Sequence, residues 1–181
     1  MESGTRPDRT RAVAFPDELI TLPRDHATLF VVPDADDVLR RFDPDNEDIR
    51  DVVSVDEGGV PRYRLKTGAL SGFSADGCSV GRDQILREAE LDRDQMLHPK
   101  YRKLAEANVD AIRAFKHPDS AGVERSPFDV APDPYPPNDP FPQRWQVAHA
   151  LITLAEGYGR SARKTAVGTL ARTVFNPLMT P

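Results

Sequence analysis

The spacing of apolar positions in the first half of the chain predicts a small, mainly antiparallel β-sheet. Short segments rich in valine and aromatic residues, each ended by proline or glycine, have the composition of strands. Between two of these segments, Gly58 and Gly59 can adopt the positive φ angles that a tight hairpin turn requires. The predicted strands are residues 13–15, 27–32, 51–55, 60–65 and 78–80.

Apolar residues at helical spacing predict helices that cover this sheet. The clearest pattern places Leu104, Val109 and Ile112 on one face of a single helix over residues 100–115. Ser161 is the expected N-cap of the last helix, because a serine hydroxyl can accept a hydrogen bond from a free amide of the first turn. The predicted helices are residues 34–42, 83–97, 100–115 and 161–174.

Two segments have less definite patterns. Residues 146–154 are apolar enough for a strand or a short helix, and their periodicity leaves both open. Residues 118–142 hold eight of the 17 prolines, which exclude a helix or an inner strand. This segment is therefore expected to cross the surface and to be anchored to the core by Trp145.

Together these patterns predict an α+β fold in which a small, mainly antiparallel sheet packs against three to four helices. Residues 1–12 are polar and are expected to form a mobile arm. Residues 13–176 are expected to form a single domain, because no change of composition marks a clear linker within them.

Composition and net charge limit the kind of protein this can be. Of the 181 residues, 39% are apolar and 29% are charged, which suits a globular chain, and no apolar run has the length of a membrane-spanning helix. The net charge of −5 gives no overall electrostatic reason to bind nucleic acid. The polar N-terminal sequence lacks the apolar core of a signal peptide, so we expect a cytoplasmic location and no membrane partner.

The charged residues are unevenly distributed along the chain. Residues 34–57 carry ten acidic side chains against three arginines, whereas residues 159–172 carry four basic side chains and no acidic one. Such runs are ordinarily solvated faces of a folded protein. An interaction surface for a protein partner would be centred on Asp45, Glu47 and Asp48.

No signature of a common catalytic, metal-binding or nucleotide-binding site occurs in the chain. The single cysteine, Cys78, cannot form an intrachain disulfide and is expected to be a small buried residue. No two of the four histidines have the spacing of a metal site on a helix, so we expect neither a metal ion nor a cofactor. The histidines are His26, His98, His117 and His149.

Four residues are nevertheless candidates for chemistry. His149 lies in an apolar segment and is either a hydrogen-bonded core residue or a general acid–base. Arg62 and Arg64 share one face of the predicted hairpin, where they suit a phosphate or carboxylate ligand or an internal salt bridge. Ser79 follows a glycine-rich turn, and an enzyme acting on a phosphate-bearing or nucleotide ligand would bring Arg64, Ser79 and His149 together.

Four short segments occur in a recognisable order along the chain. They are Gly72-Phe73-Ser74, Gly77-Cys78-Ser79-Val80, Pro136-Pro137-Asn138-Asp139-Pro140 and Ala148-His149-Ala150-Leu151-Ile152. This order resembles that of a group of small, mostly uncharacterised bacterial proteins with a short basic C-terminal helix. The chain differs from the group in having Cys78 where an aliphatic residue is usual, and a long helical insert around residues 83–117. The resemblance implies a single bacterial cytoplasmic domain and carries no activity.

These observations favour a non-catalytic module that acts through contacts with another protein, for example in a toxin–immunity or defence system. The alternative is a small enzyme or binder of a phosphate-bearing or nucleotide ligand that uses Arg64, Ser79 and His149. A structural protein of a phage or another assembly is the third hypothesis, because it is compatible with a polar arm and a proline-rich segment.

Overall fold

A six-stranded antiparallel sheet organises the computed structural model, which describes residues 31–73, 77–133 and 144–178. Every strand pairs with its neighbours in the antiparallel direction. Across the sheet the order is β10 (Asn176–Pro177), β5 (Lys103–Asn108), β1 (Asp37–Phe42), β4 (Cys78–Arg82), β9 (His149–Leu154) and β8 (Phe128–Pro132).

Two hairpins and three α-helices complete the described part of the chain. The hairpins pair β2 (Arg50–Val55) with β3 (Pro61–Leu65), and β6 (His117–Pro118) with β7 (Glu124–Arg125). The helices are α1 (Asp83–Glu88), α2 (Val109–Ala114) and α3 (Arg160–Thr173), with short 3-10 helices at Thr67–Ala69, Arg93–Met96 and Arg144–Ala148.

Both faces of the sheet are covered, because successive side chains of a strand point to opposite sides. Val38 of β1 belongs to the larger core, which packs α2 and α3 against one face. Its neighbour Leu39 belongs to the smaller core, which includes residues of α1 and Trp145. The same alternation along β4 and β9 directs Ser79 and His149 toward the smaller core.

The prediction of a helix over residues 34–42 is wrong, because Asp37–Phe42 forms β1. The spacing of Val38, Leu39 and Phe42 also fits one face of a helix. However, Val38 and Leu39 are fully buried in different cores, which a central strand achieves with adjacent residues.

The predicted helix over residues 100–115 is correct only in its second half. Its first half is β5, in which the adjacent Leu104 and Ala105 are buried on opposite faces of the sheet. Helix α2 then begins after Asn108, whose side chain accepts a hydrogen bond from the amide of Asp110. The change from strand to helix therefore has a local signal, the asparagine N-cap.

The remaining helix predictions are correct in position and differ in detail. The predicted helix over residues 83–97 is α1, which is shorter, followed by a 3-10 helix at Arg93–Met96. The predicted helix over residues 161–174 is α3, but its N-cap is Gly159, which makes no side-chain hydrogen bond, rather than Ser161.

The predicted hairpin and the predicted strand near residues 78–80 are confirmed as β2, β3 and β4. Residues 146–154 contain both alternatives, since a 3-10 helix ends at Ala148 and a strand begins at His149. In the proline-rich segment, β8 is an edge strand, where prolines are tolerated.

The fold class is confirmed in its main features: a mixed α and β structure, a mostly antiparallel sheet and about three helices, fewer than the upper number expected. The sheet also includes β5, β8 and β10, from segments that were not predicted as strands. The predicted arm, the strand at residues 13–15 and most of the strand at residues 27–32 lie outside the described residues. Over the described ranges, no helix is long and apolar enough to cross a membrane.

Candidate functional site

Ser79 and His149 meet across two neighbouring central strands. In the register of β4 and β9, Ser79 lies opposite Leu151 and Gly81 lies opposite His149, so Ser79 and His149 are diagonal neighbours on one face. The Oγ atom of Ser79 lies 2.7 Å from Nε2 of His149. Two of the three residues that the enzyme hypothesis brings together are thus in direct hydrogen-bond contact.

The other nitrogen of His149 contacts Asp133, the residue that follows β8. The amide of Asp133 donates a hydrogen bond to the carbonyl of His149 at 3.0 Å. In return, Nδ1 of His149 lies 3.0 Å from the main-chain oxygen of Asp133 and 3.2 Å from its carboxylate oxygen Oδ2. Asp133 therefore bonds both the main chain and the imidazole of His149.

These contacts determine which tautomer of His149 is present. The main-chain oxygen of Asp133 can only accept a hydrogen bond, so Nδ1 of His149 carries a proton. In the neutral ring Nε2 is then unprotonated and accepts a hydrogen bond from the hydroxyl of Ser79. This is the tautomer that a general base acting on a serine requires.

Burial keeps His149 in its neutral form. The residue is only 5% exposed, and its ring lies 6.0 Å from that of Trp145. Loss of hydration lowers the pKa of His149, while hydrogen bonds and the charge of Asp133 raise it and the positive charge of Arg41 lowers it. The net direction is downward, which favours the unprotonated Nε2 at neutral pH.

The strands β1 and β4 separate beside Ser79. Their pairing is limited to Val38 with Arg82 and Leu39 with Gly81, although both strands continue beyond these pairs. In the gap, the guanidinium of Arg40 donates hydrogen bonds to the main-chain oxygens of Ser79 at 2.7 Å and Ala69 at 2.8 Å. Arg40 thus replaces the missing strand pairing and anchors the backbone of Ser79.

A cavity of about 270 Å³ opens at this separation, and Ser79 and Trp145, both neighbours of His149, line it. Its wall is rich in basic side chains and aromatic rings. The lining residues with charged, polar or aromatic side chains are Arg40, Arg41, Phe42, Asp43, Asn46, Ser71, Ser79, Lys100, Tyr101 and Trp145. The other residues that line the cavity are apolar and include Leu39, Val80 and Met96.

Two of the basic side chains contact the aromatic rings. The guanidinium carbon of Arg41 lies 5.4 Å from the ring centroid of Tyr101 and 5.1 Å from that of Trp145. The ammonium of Lys100 lies 5.6 Å from the same Tyr101 centroid. These are cation–π distances, so the aromatic rings help to hold positive charge beside the cavity.

Arg62 and Arg64 do not line this cavity. Both are exposed on β3, in the hairpin that is separate from the six-stranded sheet. Among the described residues neither forms an ion pair; Asp51, which lies opposite Arg64, instead pairs with Lys66 at 2.8 Å. The basic residues that line the cavity together with Ser79 are Arg40, Arg41 and Lys100, none of which was a candidate from the sequence.

The acidic candidates Asp45, Glu47 and Asp48 are exposed in the connection between β1 and β2. Asp45 forms an ion pair with Arg102, and the main-chain oxygen of Glu47 accepts a hydrogen bond from Lys66. The connection is therefore held at two points while its carboxylates face solvent.

Cys78 differs sharply from the adjacent Ser79. Its side chain is fully buried in the larger core, on the opposite face of the sheet. Burial raises the pKa of the Cys78 thiol, so the thiol is inert rather than nucleophilic. The described residues contain no group of three His, Cys, Asp or Glu side chains that could hold a metal ion.

No protein-family model, curated protein or solved structure matches this chain. The resemblance to small bacterial proteins therefore remains a prediction.

Proposed function

We propose that this protein is a small hydrolase in which Ser79 is the nucleophile, His149 the general base and Asp133 the residue that orients and stabilises the imidazole. The observation that carries the proposal is the continuous chain of contacts from Ser79 through His149 to Asp133. A nucleophile bonded to a base, with the base oriented by a third group, is the geometry of nucleophilic catalysis.

The reaction best suited to these groups is the hydrolysis of an ester. Oγ of Ser79 bonds to the carbonyl carbon as its proton passes to Nε2 of His149, and the carbonyl electron pair moves to oxygen. The carbon–oxygen bond of the leaving alcohol then breaks, and the alcohol takes the proton from His149. A water molecule then gives a proton to Nε2 of His149 as its oxygen bonds to the acyl carbon. The bond between that carbon and Oγ of Ser79 breaks, Oγ takes the proton back from His149, and the acid is released.

The surroundings of the pair support this role over a purely structural one. A structural hydrogen bond between Ser79 and His149 would satisfy two polar groups in a closed core. Here Ser79 is only half-buried and lines a cavity, which gives a small substrate access to this residue. The low pKa of His149 provides a neutral base, and the Asp133 carboxylate stabilises the imidazolium that forms after proton transfer.

The proposal retains Ser79 and His149 from the enzyme hypothesis and replaces Arg64. That residue is exposed on β3 and does not line the cavity. Arg40 and Arg41 supply positive charge beside Ser79 in its place.

The test uses the purified chain with 4-nitrophenyl esters and with a fluorophosphonate that labels activated serines. We expect ester hydrolysis, and labelling at Ser79 located by peptide mass spectrometry. Ser79→Ala should abolish both, whereas Ser54→Ala, at an exposed serine of β2, should change neither. A folded protein that neither turns over any ester nor labels at Ser79 would overturn the proposal.

A protein-interaction module is the second candidate function, and the surface of the β2–β3 hairpin favours it. Val52, Val53 and Val55 of β2 are 46%, 47% and 60% exposed, an unusual fraction for valine. The acidic connection of residues 45–48 precedes this strand. A partner with a basic and apolar surface would complement the two features.

A further inference from the structure

We propose that the substrate carries an anionic group, a carboxylate or a phosphate, which Lys100 binds at the aromatic end of the cavity. This inference rests on the proposed function, because it specifies the substrate of the same site. It goes further in predicting which esters the site discriminates and which side chains do so.

The described residues that line the cavity carry more positive than negative charge. Among these described residues, three are basic, Arg40, Arg41 and Lys100, and one is acidic, Asp43. Asp43 is itself engaged, because its Oδ1 accepts a hydrogen bond from the amide of Asp45 at 2.9 Å. An excess of positive charge in a concave site raises the local concentration of anions and favours an anionic ligand.

Arg40 has a different task from the other two basic residues. Its Nε and Nη1 donate hydrogen bonds to the main-chain oxygens of Ala69 and Ser79, and its Nη2 lies 3.3 Å from Oγ of Ser71. With three nitrogens engaged by the protein, Arg40 holds the nucleophile strand in place. The binding of a substrate anion is therefore assigned to Lys100.

Lys100 is the side chain best suited to meet a ligand. It is exposed, and its ammonium contacts the ring of Tyr101 without a carboxylate partner among the described residues. Its main chain is anchored, since its amide donates a hydrogen bond to Nδ1 of His98 at 3.2 Å. A lysine with a fixed backbone and a flexible charged end can close over an anion at the cavity mouth.

Arg41 adds a fixed positive charge at the same end of the cavity. Its guanidinium packs against Tyr101 and Trp145, and its Nη1 lies 3.3 Å from the main-chain oxygen of Met96. Because these contacts hold the charge in place, it adds to the attraction of an anion toward Lys100.

The size of the cavity limits the substrate to a small molecule. A volume of about 270 Å³ lies just below the range of about 300–1,000 Å³ typical of drug-sized ligands. A short ester with one acidic group is consistent with this space.

The test compares three 4-nitrophenyl esters of similar length: the neutral butyrate, the hemisuccinate and the 3-phosphonopropionate. We expect kcat/KM for at least one anionic ester to exceed that for the neutral ester by about tenfold, the effect of one charge-assisted contact. Lys100→Gln should reduce this ratio by about tenfold, mainly through KM. Lys116→Gln removes a remote exposed lysine that contacts Ser126, and should leave the ratio unchanged.

The outcomes separate this inference from the proposed function. The inference would be overturned if all three esters were hydrolysed with equal kcat/KM and if Lys100→Gln did not change the ratio of kcat/KM for the anionic and neutral esters. The proposed hydrolase activity would still stand in that case. A preference for the hemisuccinate or for the phosphonate supports it and identifies the anion. If no ester is hydrolysed, calorimetric titration with succinate and inorganic phosphate decides: binding that is lost in Lys100→Gln supports the anion site, and no binding overturns it.

Discussion

The hydroxyl of Ser79 and Nε2 of His149 lie 2.7 Å apart although 70 residues separate them along the chain. The antiparallel pairing of β4 and β9 creates this relationship, because it sets the two residues diagonally on one face of the sheet. Main-chain hydrogen bonds of a central strand pair hold both backbones, so the contact is built on rigid elements.

Replacing His149 and replacing Asp133 should cause different losses of activity. His149→Gln removes the base, and we expect kcat to fall by about 10³-fold or more. Asp133→Asn should cost less, because the main-chain oxygen of Asp133 still directs the tautomer of His149. Steady-state kinetics on one neutral ester would measure kcat for both variants. An equal fall of kcat in the two would contradict the role given to the main-chain oxygen of Asp133.

The lowered pKa of His149 predicts the pH profile. The base acts in its neutral form, so kcat/KM should fall on acidification with a midpoint below the ordinary histidine value of about 6.5. Arg41→Gln removes a positive charge that lowers the pKa of His149, so the midpoint should move to higher pH. Arg64→Gln, which removes an exposed charge outside the cavity lining, should leave it in place. The pH profiles are measured with a neutral ester. A midpoint unaffected by Arg41→Gln would contradict the electrostatic coupling between Arg41 and His149.

The same shift predicts a stability change. The unfolded chain takes up a proton at His149 near pH 6.5, whereas the folded protein resists protonation to lower pH. The free energy of unfolding should therefore decrease as pH falls below about 6.5 through the lower folded value. Urea titrations of the wild type and of His149→Gln would measure the difference, and parallel pH dependences would contradict it.

Gly77 controls the entry of the chain into β4, and its replacement should be costly. Its φ is +131°, and an added Cβ would lie 2.8 Å from the main-chain oxygen of Ile152. Gly122 also has a positive φ, +80°, but an added Cβ there meets nothing within 4 Å. Thermal unfolding should show a loss of about 1 kcal/mol for Gly122→Ala and clearly more for Gly77→Ala. Equal losses would show that the close approach to Ile152 carries no cost.

A buried ion pair near the start of β1 predicts a large stability effect. Nε of Arg82 lies 2.8 Å from Oδ2 of Asp36, and both side chains are almost fully buried. Asp36→Ala breaks this buried ion pair by removing one partner and should cost about 3–5 kcal/mol in the free energy of unfolding. Asp34→Ala, at an exposed partner of Arg113, should cost about 1 kcal/mol or less. Chemical denaturation would compare the two.

The interaction hypothesis has its own test. Charge reversal at Asp45, Glu47 and Asp48 should weaken the capture of a protein partner in a pull-down, because all three residues are exposed. Circular dichroism would confirm that the variant is folded, and the Lys116→Gln variant serves as a surface control. Binding that is unaffected by the reversal would remove this surface from consideration.

Much of the local structure could be predicted from the residues themselves. Gly58 and Gly59 between two valine-rich segments indicated the hairpin, and the apolar stripe near the C-terminus indicated α3. Residue chemistry alone also identified Ser79 and His149 as candidates. These features depend on backbone preference, turn geometry and side-chain type, all of which act over a few residues.

Tertiary structure decided the rest, because the deciding contacts join residues far apart in the chain. Val38 with Leu39, and Leu104 with Ala105, are buried on both faces of a central sheet, a condition that their own spacing does not distinguish from a helix face. Asp133, in a proline-rich segment, reaches His149 only because β8 pairs with β9, and Arg40 reaches Ser79 only because β1 and β4 separate.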